Sequence, residues 1–119
     1  MRKSLTRKER LRKKKDISGV FEQSESRKDS CMRILYRRNS LEWNRIAVIL
    51  RKGYGNSVIR NRARRLVKET YREMKNSIFK GYDIIFLVNS RITEYETAES
   101  SVCMLLRKTG LIDDNKDPA

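Results

Sequence analysis

The residues of this sequence best suited to chemistry are basic side chains spaced along one predicted helix, residues 57–75. At 100° per residue, a stripe from 0° to about 140° holds cationic side chains and no acid. Its members are Arg60, Arg64, Lys75, Lys68, Arg72 and Arg65, with Asn61 among them. Guanidinium groups bind phosphate bidentately and stack on bases, and the amide of Asn61 offers both donors and acceptors. The chemistry indicated is recognition of a polyanion.

The other sides of this helix are apolar or mixed in charge. A core face between about 240° and 340° is predicted for Ile59, Ala63, Leu66, Val67, Thr70 and Met74. A third face, at about 200°, carries Arg62, Glu69 and Glu73. A solvated charged face is the alternative to a binding stripe, but such faces usually mix charges for i,i+4 pairing.

The start of the helix adds to the stripe. Gly55 breaks the preceding strand, and Asn56 and Ser57 are good helix caps. The helix N-terminus offers unpaired N–H groups and the positive end of the dipole, with Arg51 and Lys52 just before it. An anion bound there would meet side chains and backbone together.

The charge of the whole chain is concentrated in two segments. The net charge of the 119 residues is +14, of which residues 1–15 carry +8 and residues 51–75 carry +7. Concentrated charge of one sign favours a polyanionic partner. Residues 1–15 are predicted to form a basic arm, extended or weakly ordered in isolation, that binds nucleic acid; a targeting signal or an expression artefact are the alternatives.

The composition excludes several classes of function. The sequence has no histidine, which removes histidine general bases and ordinary zinc sites. Cys31 and Cys103 have no ligand spacing and are expected to be buried thiols. No apolar run approaches a membrane span, and the N-terminus does not resemble a signal peptide, so we expect a cytoplasmic protein. A stand-alone nuclease is disfavoured, and no catalytic or metal-binding residue is predicted.

The elements that must position the stripe alternate between strands and helices. Asp16 is expected to cap a short helix that carries Ile17, Val20 and Phe21, and residues 22–30 are predicted to be loop. Strands are predicted at 31–38, 45–51 and 82–88, the long helix at 57–75, a last helix at 93–108, and a frayed tail at 113–119. The fold class is α/β, an α+β sandwich in which one mixed sheet is packed with helices in a single domain over residues 1–119. Strand 45–51, helix 57–75 and strand 82–88 form a βαβ unit.

Two aromatic residues could contact a single strand. Phe21 and Tyr36 are the candidates for stacking on bases, although either could instead be a packing residue. Trp43 lies in a predicted turn and receives no function. The absence of a helix-turn-helix, zinc-finger or basic-zipper pattern weakly favours RNA over DNA.

The ordered stretch Arg51–Leu66 resembles the signature of the bacterial ribonuclease P protein subunit. That signature is a strand ending in basic residues, a glycine, a small residue two positions on, Arg-Asn-Arg and a basic pair. The similarity extends from Leu5 to the last helix. It implies a sheet of about four strands with three helices in the order α-β-β-β-α-β-α, with a left-handed βαβ crossover. A structural RNA-binding protein of the ribosomal type is the alternative.

The resemblance also implies function and site residues. The family's protein joins a catalytic RNA that requires Mg²⁺, and the holoenzyme removes 5′ leaders from precursor tRNA. The residues that match its RNA-binding signature are Arg51, Lys52, Asn56, Arg60, Asn61, Arg62, Arg64, Arg65 and Lys68, to which the stripe adds Arg72. A leader-binding cleft would be formed by Ile17, Phe21 and Tyr36. Ile17 stands where the family often has phenylalanine, and Gly53 where it is often basic. No protein partner and no membrane are expected.

Overall fold

The structure is a computed structural model and describes residues 5–113. Its elements, in chain order, are α1 (Lys14–Glu22), β1 (Glu25–Lys28), β2 (Met32–Arg38), β3 (Arg45–Leu50), α2 (Ser57–Met74), β4 (Tyr82–Val88) and α3 (Tyr95–Thr109). Short 3₁₀ turns at Arg7–Glu9 and Lys75–Ser77 precede α1 and follow α2. The observed order is the α-β-β-β-α-β-α order that the resemblance implied. The predicted tail falls largely on residues outside the described range.

The four strands form one mixed sheet in the order β1-β2-β4-β3. The β1–β2 and β2–β4 pairs are antiparallel, and the β3–β4 pair is parallel. Strand β3, helix α2 and strand β4 therefore make the predicted βαβ unit, with α2 connecting two neighbouring parallel strands. The mixed α+β fold is confirmed, whereas the left-handed crossover stays a prediction.

Both faces of the sheet are covered. The even-numbered positions of β2, β3 and β4, such as Ile34, Val48 and Phe86, pack with α2 and α3 in the larger core. The odd-numbered positions, such as Leu35 and Ile85, pack with α1 and Leu11 in a smaller one. Side chains alternate along a strand, so each strand serves two cores. Strand β2 is buried on both faces, since Leu35 on one side and Ile34 on the other are both buried.

Three local predictions are corrected. Residues 22–30 were predicted to be loop, but β1 forms there and pairs with β2 at the edge of the sheet. It was missed because its side chains are polar and show no alternation of apolar and polar residues. Lys13 occupies the N-cap position of helix α1 without a side-chain capping hydrogen bond, and Asp16 lies in the first turn instead of at the cap. Residues 5–13 of the predicted arm are docked on the domain, since Leu11 is 4% exposed and its N–H donates to the Ile46 carbonyl at 2.7 Å.

The start of α2 follows from its sequence. The carbonyl oxygen of the Asn56 side chain accepts a hydrogen bond from the backbone N–H of Ile59 at 3.0 Å, which is the predicted cap. Gly53 turns the chain with a φ of 77°, a conformation that glycine adopts without strain. Tyr54 then inserts into the core, and its hydroxyl accepts from the N–H of Ile92 and donates to the Ser90 carbonyl. Among residues 5–113, none of the helices combines the length and apolar character needed to cross a membrane.

Candidate nucleic-acid interface

The exposed part of the α2 stripe forms a cationic cleft. It is a shallow depression of about 300 Å³ lined by Asn61, Arg64, Arg65, Lys68 and Arg72. The Asn61 amide oxygen accepts a 3.4 Å contact from Nη1 of Arg64, and Arg65 is exposed. Arg72 is 3.9 Å from Glu69, a loose surface pair that leaves its charge largely available. Five of the predicted RNA-binding residues are thus brought together on one surface.

Lys75, at the C-terminal end of the stripe, is paired with the N-terminal segment. Nζ of Lys75 lies 3.3 Å from Oε1 of Glu9, which the backbone N–H of Thr6 also contacts at 2.9 Å. Burial raises the pKa of the Glu9 carboxyl, but the hydrogen bonds from Thr6 and Lys75 outweigh it and hold the pKa below its usual value. Tyr71 lies on the same side of the helix and is 1% exposed, packed edge-to-face on Phe86. The stripe is therefore partly an intramolecular contact surface.

A groove runs between the N-terminal segment, α1, β3 and α2. It encloses about 390 Å³, and its apolar floor includes Leu11, Ile17 and β3 residues 46–49. Its charged walls are Arg10, Arg12, Arg64 and Lys68. Burial, and then the charges of Arg10 and Arg64, lower the pKa of the Lys68 ammonium. Crowded cations of this kind are stabilised by an anion, so the charge of the groove is suited to phosphate.

Arg10 and Arg12 were missed as individual site residues. The prediction placed them in an arm of general positive charge, but not beside α2. The sequence carries the charge signal, whereas the position depends on Leu11 being anchored at the β3 edge. Their juxtaposition with Lys68 follows from that docking.

The loop before α2 carries three predicted residues. Arg51 and Lys52 are exposed, and Nε of Arg51 donates to the Asn89 carbonyl, which fixes the arginine against the end of β4. Asn56 uses its side-chain oxygen to cap α2, so its free group is the amide nitrogen. Asn56 lies at the N-terminal end of α2, about one turn before Arg60, and Arg51 and Lys52 lie in the loop that precedes it.

The outer arginines of the Arg-Asn-Arg sequence lie on different sides of α2. Arg60 is half-buried beside the core face. Nε of Arg62 donates to the Thr93 carbonyl at 2.8 Å, which ties α2 to the segment before α3. Asn61 is the member of the three that lines the cationic cleft. The motif therefore combines a residue of the cationic cleft with one that holds the helix in place.

Comparison with known proteins agrees with this geometry. The ribonuclease P family model matches residues 5–109. The ribonuclease P protein component of Alkaliphilus metalliredigens is 36% identical over 105 residues, covering 87% of this chain and 95% of the relative. That of Thermotoga petrophila is 32% identical over 94 residues, covering 79% and 80%.

The chain belongs to the ribonuclease P protein family.

Solved structures agree with this assignment. The ribonuclease P protein from Thermotoga maritima superposes with a TM-score of 0.74 at 25% identity, over 83% of this chain and 96% of that one. The Staphylococcus aureus protein reaches a TM-score of 0.78 at 19% identity, over 87% and 97%, which supports the fold. Membership of the ribonuclease P family replaces the alternative of a ribosomal-type protein.

The three residues expected to form the leader cleft of a ribonuclease P protein do not share one surface here. Ile17 lines the groove beside Arg10 and Lys68. Phe21 lies one turn further along α1 and is 47% exposed, so it is available for contact. Tyr36 is 5% exposed and packs in the larger core, on the opposite face of the sheet from Ile17. Burial raises the pKa of the Tyr36 hydroxyl, and Tyr36 also lines a separate open depression with Arg38 and Tyr82.

No metal centre is evident in the described chain. Among residues 5–113, no group of three or more histidine, cysteine, aspartate or glutamate side chains is placed to hold a metal ion. Cys31 and Cys103 are unpaired thiols, each half-buried. Burial, followed by the charge of Glu99, raises the pKa of the Cys103 thiol, so it stays protonated at neutral pH.

Proposed function

We propose that this chain is the RNA-binding accessory subunit of ribonuclease P, holding both the catalytic RNA and the 5′ leader of precursor tRNA. The observation that carries the proposal is the joining of the α2 cleft to the groove through Arg64 and Lys68, which line both. A surface with several adjacent cations and no acid in the α2 cleft fits a chain of phosphates. Because the protein belongs to the ribonuclease P family, we expect these phosphates to be those of RNA in the ribonuclease P assembly.

The α2 cleft is the proposed contact for the catalytic RNA. Asn61, Arg65 and Arg72 line a shallow depression on the surface of α2, and a folded RNA can approach a helix surface without entering a pocket. Arginine at two of these positions suits bidentate contact with phosphate oxygens. Arg51 and Lys52 extend the contact to the N-terminal end of α2.

The groove is the proposed path of the leader. Its floor is apolar and its walls carry cations, as a groove for single-stranded nucleic acid requires. Ile17 offers van der Waals contact to a base or ribose, and Arg10 and Arg12 face the phosphates. Phe21, exposed on the same helix, is the available aromatic ring. Tyr36 has no part in this path because it is buried on the other face.

The chemistry of cleavage is assigned to the RNA. The holoenzyme's Mg²⁺ is proposed to be bound mainly by RNA, since the described residues offer no cluster that fits the ion. The protein's contribution is to bind, to orient the leader and to screen phosphate repulsion. Charge screening by the protein should lower the Mg²⁺ concentration at which the RNA and its substrate associate.

A reconstitution tests the proposal. The protein is mixed with a bacterial ribonuclease P RNA and precursor tRNA at low Mg²⁺ and moderate salt, and 5′ cleavage is followed. Stimulated cleavage at the mature 5′ end supports an accessory subunit. The absence of stimulation, with the protein folded by circular dichroism, contradicts it. Cleavage by protein without RNA would instead indicate a nuclease.

A second arm of the reconstitution separates the two contacts. Substrate affinity is compared for precursor tRNA with its leader and for tRNA without one. A contribution confined to the leader-bearing substrate supports the groove as the leader path. An equal contribution to both substrates would mean that the protein acts only through the catalytic RNA.

A further inference from the structure

A second basic groove lies on the other side of the N-terminal segment. It encloses about 370 Å³ between residues 7–13, the β2–β3 loop and the start of β3. Its cationic lining consists of Arg7, Lys8, Arg10, Arg12, Lys13 and Arg45, and Asp16 is its acid. Leu41 and Trp43 supply the apolar part. The combination of many cations, one acid and an aromatic ring fits RNA better than an uncharged ligand.

Trp43 is held in place in this groove. Its indole Nε1–H donates to the backbone carbonyl of Lys8 at 3.0 Å. The ammonium of Lys8 lies 4.7 Å from the centroid of the indole ring. The ring is half-buried, so part of its surface still faces solvent. An anchored, partly exposed indole beside cations is a platform for a base or ribose.

The acid of the groove is bound by an arginine. The Asp16 carboxylate is paired with Arg45 at 3.2 Å, and Arg45 also binds the buried Asp83. Because Arg45 is shared by two carboxylates, it leaves the other five cations of the lining against the one charge of Asp16, and the groove stays strongly positive. Arg7 and Lys13, by contrast, are both exposed on the rim.

The three basic surfaces are contiguous. Arg64 and Lys68 line both the α2 cleft and the groove proposed as the leader path, here called the leader groove. Arg10 and Arg12 line both the leader groove and the second basic groove, here called the Trp43 groove. We propose that the Trp43 groove is a further RNA-binding site at the end of this track, where one strand places its phosphates on the arm and a base or ribose against Trp43. This inference rests on the proposed function and extends it to a residue that the sequence left without a role.

The fluorescence of Trp43 provides the test, because it is the one tryptophan of the chain. Dye-labelled bacterial ribonuclease P RNA is titrated with the protein, and binding is followed by the anisotropy of the dye. Trp43 emission and its quenching by iodide are recorded in the same samples. Precursor tRNA is then added to the complex. We expect emission to change and iodide quenching to fall at one of the two steps, and the step identifies which RNA occupies the groove.

Matched variants show whether the change is local. Arg7→Gln with Lys13→Gln removes two charges from the rim of the Trp43 groove alone. Arg27→Gln with Lys28→Gln removes two from β1, at the opposite edge of the sheet. The rim variant should flatten the dependence of log affinity on log salt by about 0.7 unit for each phosphate that is no longer neutralised, and should reduce the change in Trp43 emission. The β1 variant should do neither.

The outcomes distinguish this inference from the function on which it rests. One outcome is that anisotropy shows binding while Trp43 emission and its quenching by iodide stay unchanged at both steps. That result overturns the Trp43 site and leaves the proposed function standing. Equal effects of the rim and β1 variants also overturn it, since the response would then be to net charge. Failure of the folded protein to bind either RNA overturns the proposed function and the inference together.

Discussion

Arg45 lies directly opposite Asp83 in the parallel β3–β4 pair and grips its carboxylate with two hydrogen bonds, Nε to Oδ1 at 2.8 Å and Nη2 to Oδ2 at 2.7 Å. Asp83 is fully buried, and Asn39 donates a further bond to its Oδ1. The hydrogen bonds that Arg45 donates to Asp83 raise the pKa of Arg45, and Asp16 on α1 adds to that effect. Arg45 therefore links α1, β3 and β4 in the lining of the Trp43 groove.

Loss of this ion pair should destabilise the fold. Asp83→Ala leaves the guanidinium of Arg45 without its main partner in a largely buried position, which costs about 3–5 kcal/mol of unfolding free energy. Urea unfolding followed by circular dichroism measures it. Glu42→Gln, at an exposed loop position, is the control and should be close to neutral. A loss no larger than the control's would show that the pair adds little to stability.

Removing a charge from the α2 cleft should weaken RNA binding with a recognisable salt signature. Arg65 is exposed and lines the cleft, so Arg65→Gln should flatten the salt dependence of affinity for the catalytic RNA by about 0.7 to 0.9 unit. Affinity is measured by filter binding at several salt concentrations. Lys28→Gln on β1 removes the same charge away from the cleft and should leave the slope unchanged. A slope equal to the wild type's would mean that Arg65 does not face a phosphate.

Phe21 should affect the leader and leave stability nearly unchanged. Its ring is 47% exposed, so Phe21→Ala removes little buried surface, while the absence of a base stack costs about 1–3 kcal/mol of binding. Affinity is compared for substrate with and without a leader. Val20→Ala is the contrasting neighbour, since Val20 is fully buried and its truncation should lower stability instead. Equal losses for both substrates would argue against stacking by Phe21.

Tyr36 should show the reverse pattern. It is 5% exposed in the larger core, so Tyr36→Ala should lower the free energy of unfolding by about 3–5 kcal/mol. Tyr36→Phe keeps the ring and is expected to leave leader affinity unchanged, because the hydroxyl lies on the face away from Ile17. If Tyr36→Phe weakens binding only of the leader-bearing substrate, the Tyr36 hydroxyl contributes to leader binding and this prediction is wrong.

Asp29 should make an acid-sensitive contribution to stability. Its carboxylate accepts bonds from the N–H groups of Cys31 and Met32 at 2.8 and 2.9 Å and from the Ser101 hydroxyl at 2.6 Å. Burial raises the pKa of Asp29, but the hydrogen bond from Ser101 and those from the two backbone groups outweigh it, and the pKa falls below the usual 3.8. The stabilisation is therefore complete above pH 3.8 and is lost as the pH falls through the lowered pKa.

The variant Asp29→Asn tests this. It should be less stable than the wild type by about 1 kcal/mol near neutral pH, and the difference should shrink in acid as the wild-type carboxylate is protonated. Urea unfolding over a range of pH measures the difference. Glu42→Gln should show no such convergence. A difference that is constant with pH would assign the loss to packing rather than to the charge.

The local sequence determined most of the elements. Helix 57–75, strand 45–51 and strand 82–88 were predicted within a residue or two of α2, β3 and β4, because apolar periodicity, Gly53 and the Asn56 cap act over a few residues. Strand β1 was missed because an edge strand with polar side chains is fixed by pairing with β2, a partner outside its own sequence. The ordered signature around Arg60 likewise indicates the family without any tertiary information.

Only the tertiary structure decided which side chains share a surface. Alternation along β2 places Tyr36 with Met32 and Ile34, but the packing of α2 and α3 decides that this side is the larger core and not the groove beside α1. The docking of Leu11 at Ile46 brings Arg10 to Lys68 across more than fifty residues of chain. Charge and periodicity are properties of the sequence itself, whereas juxtaposition depends on long-range burial and backbone pairing, which local patterns do not encode.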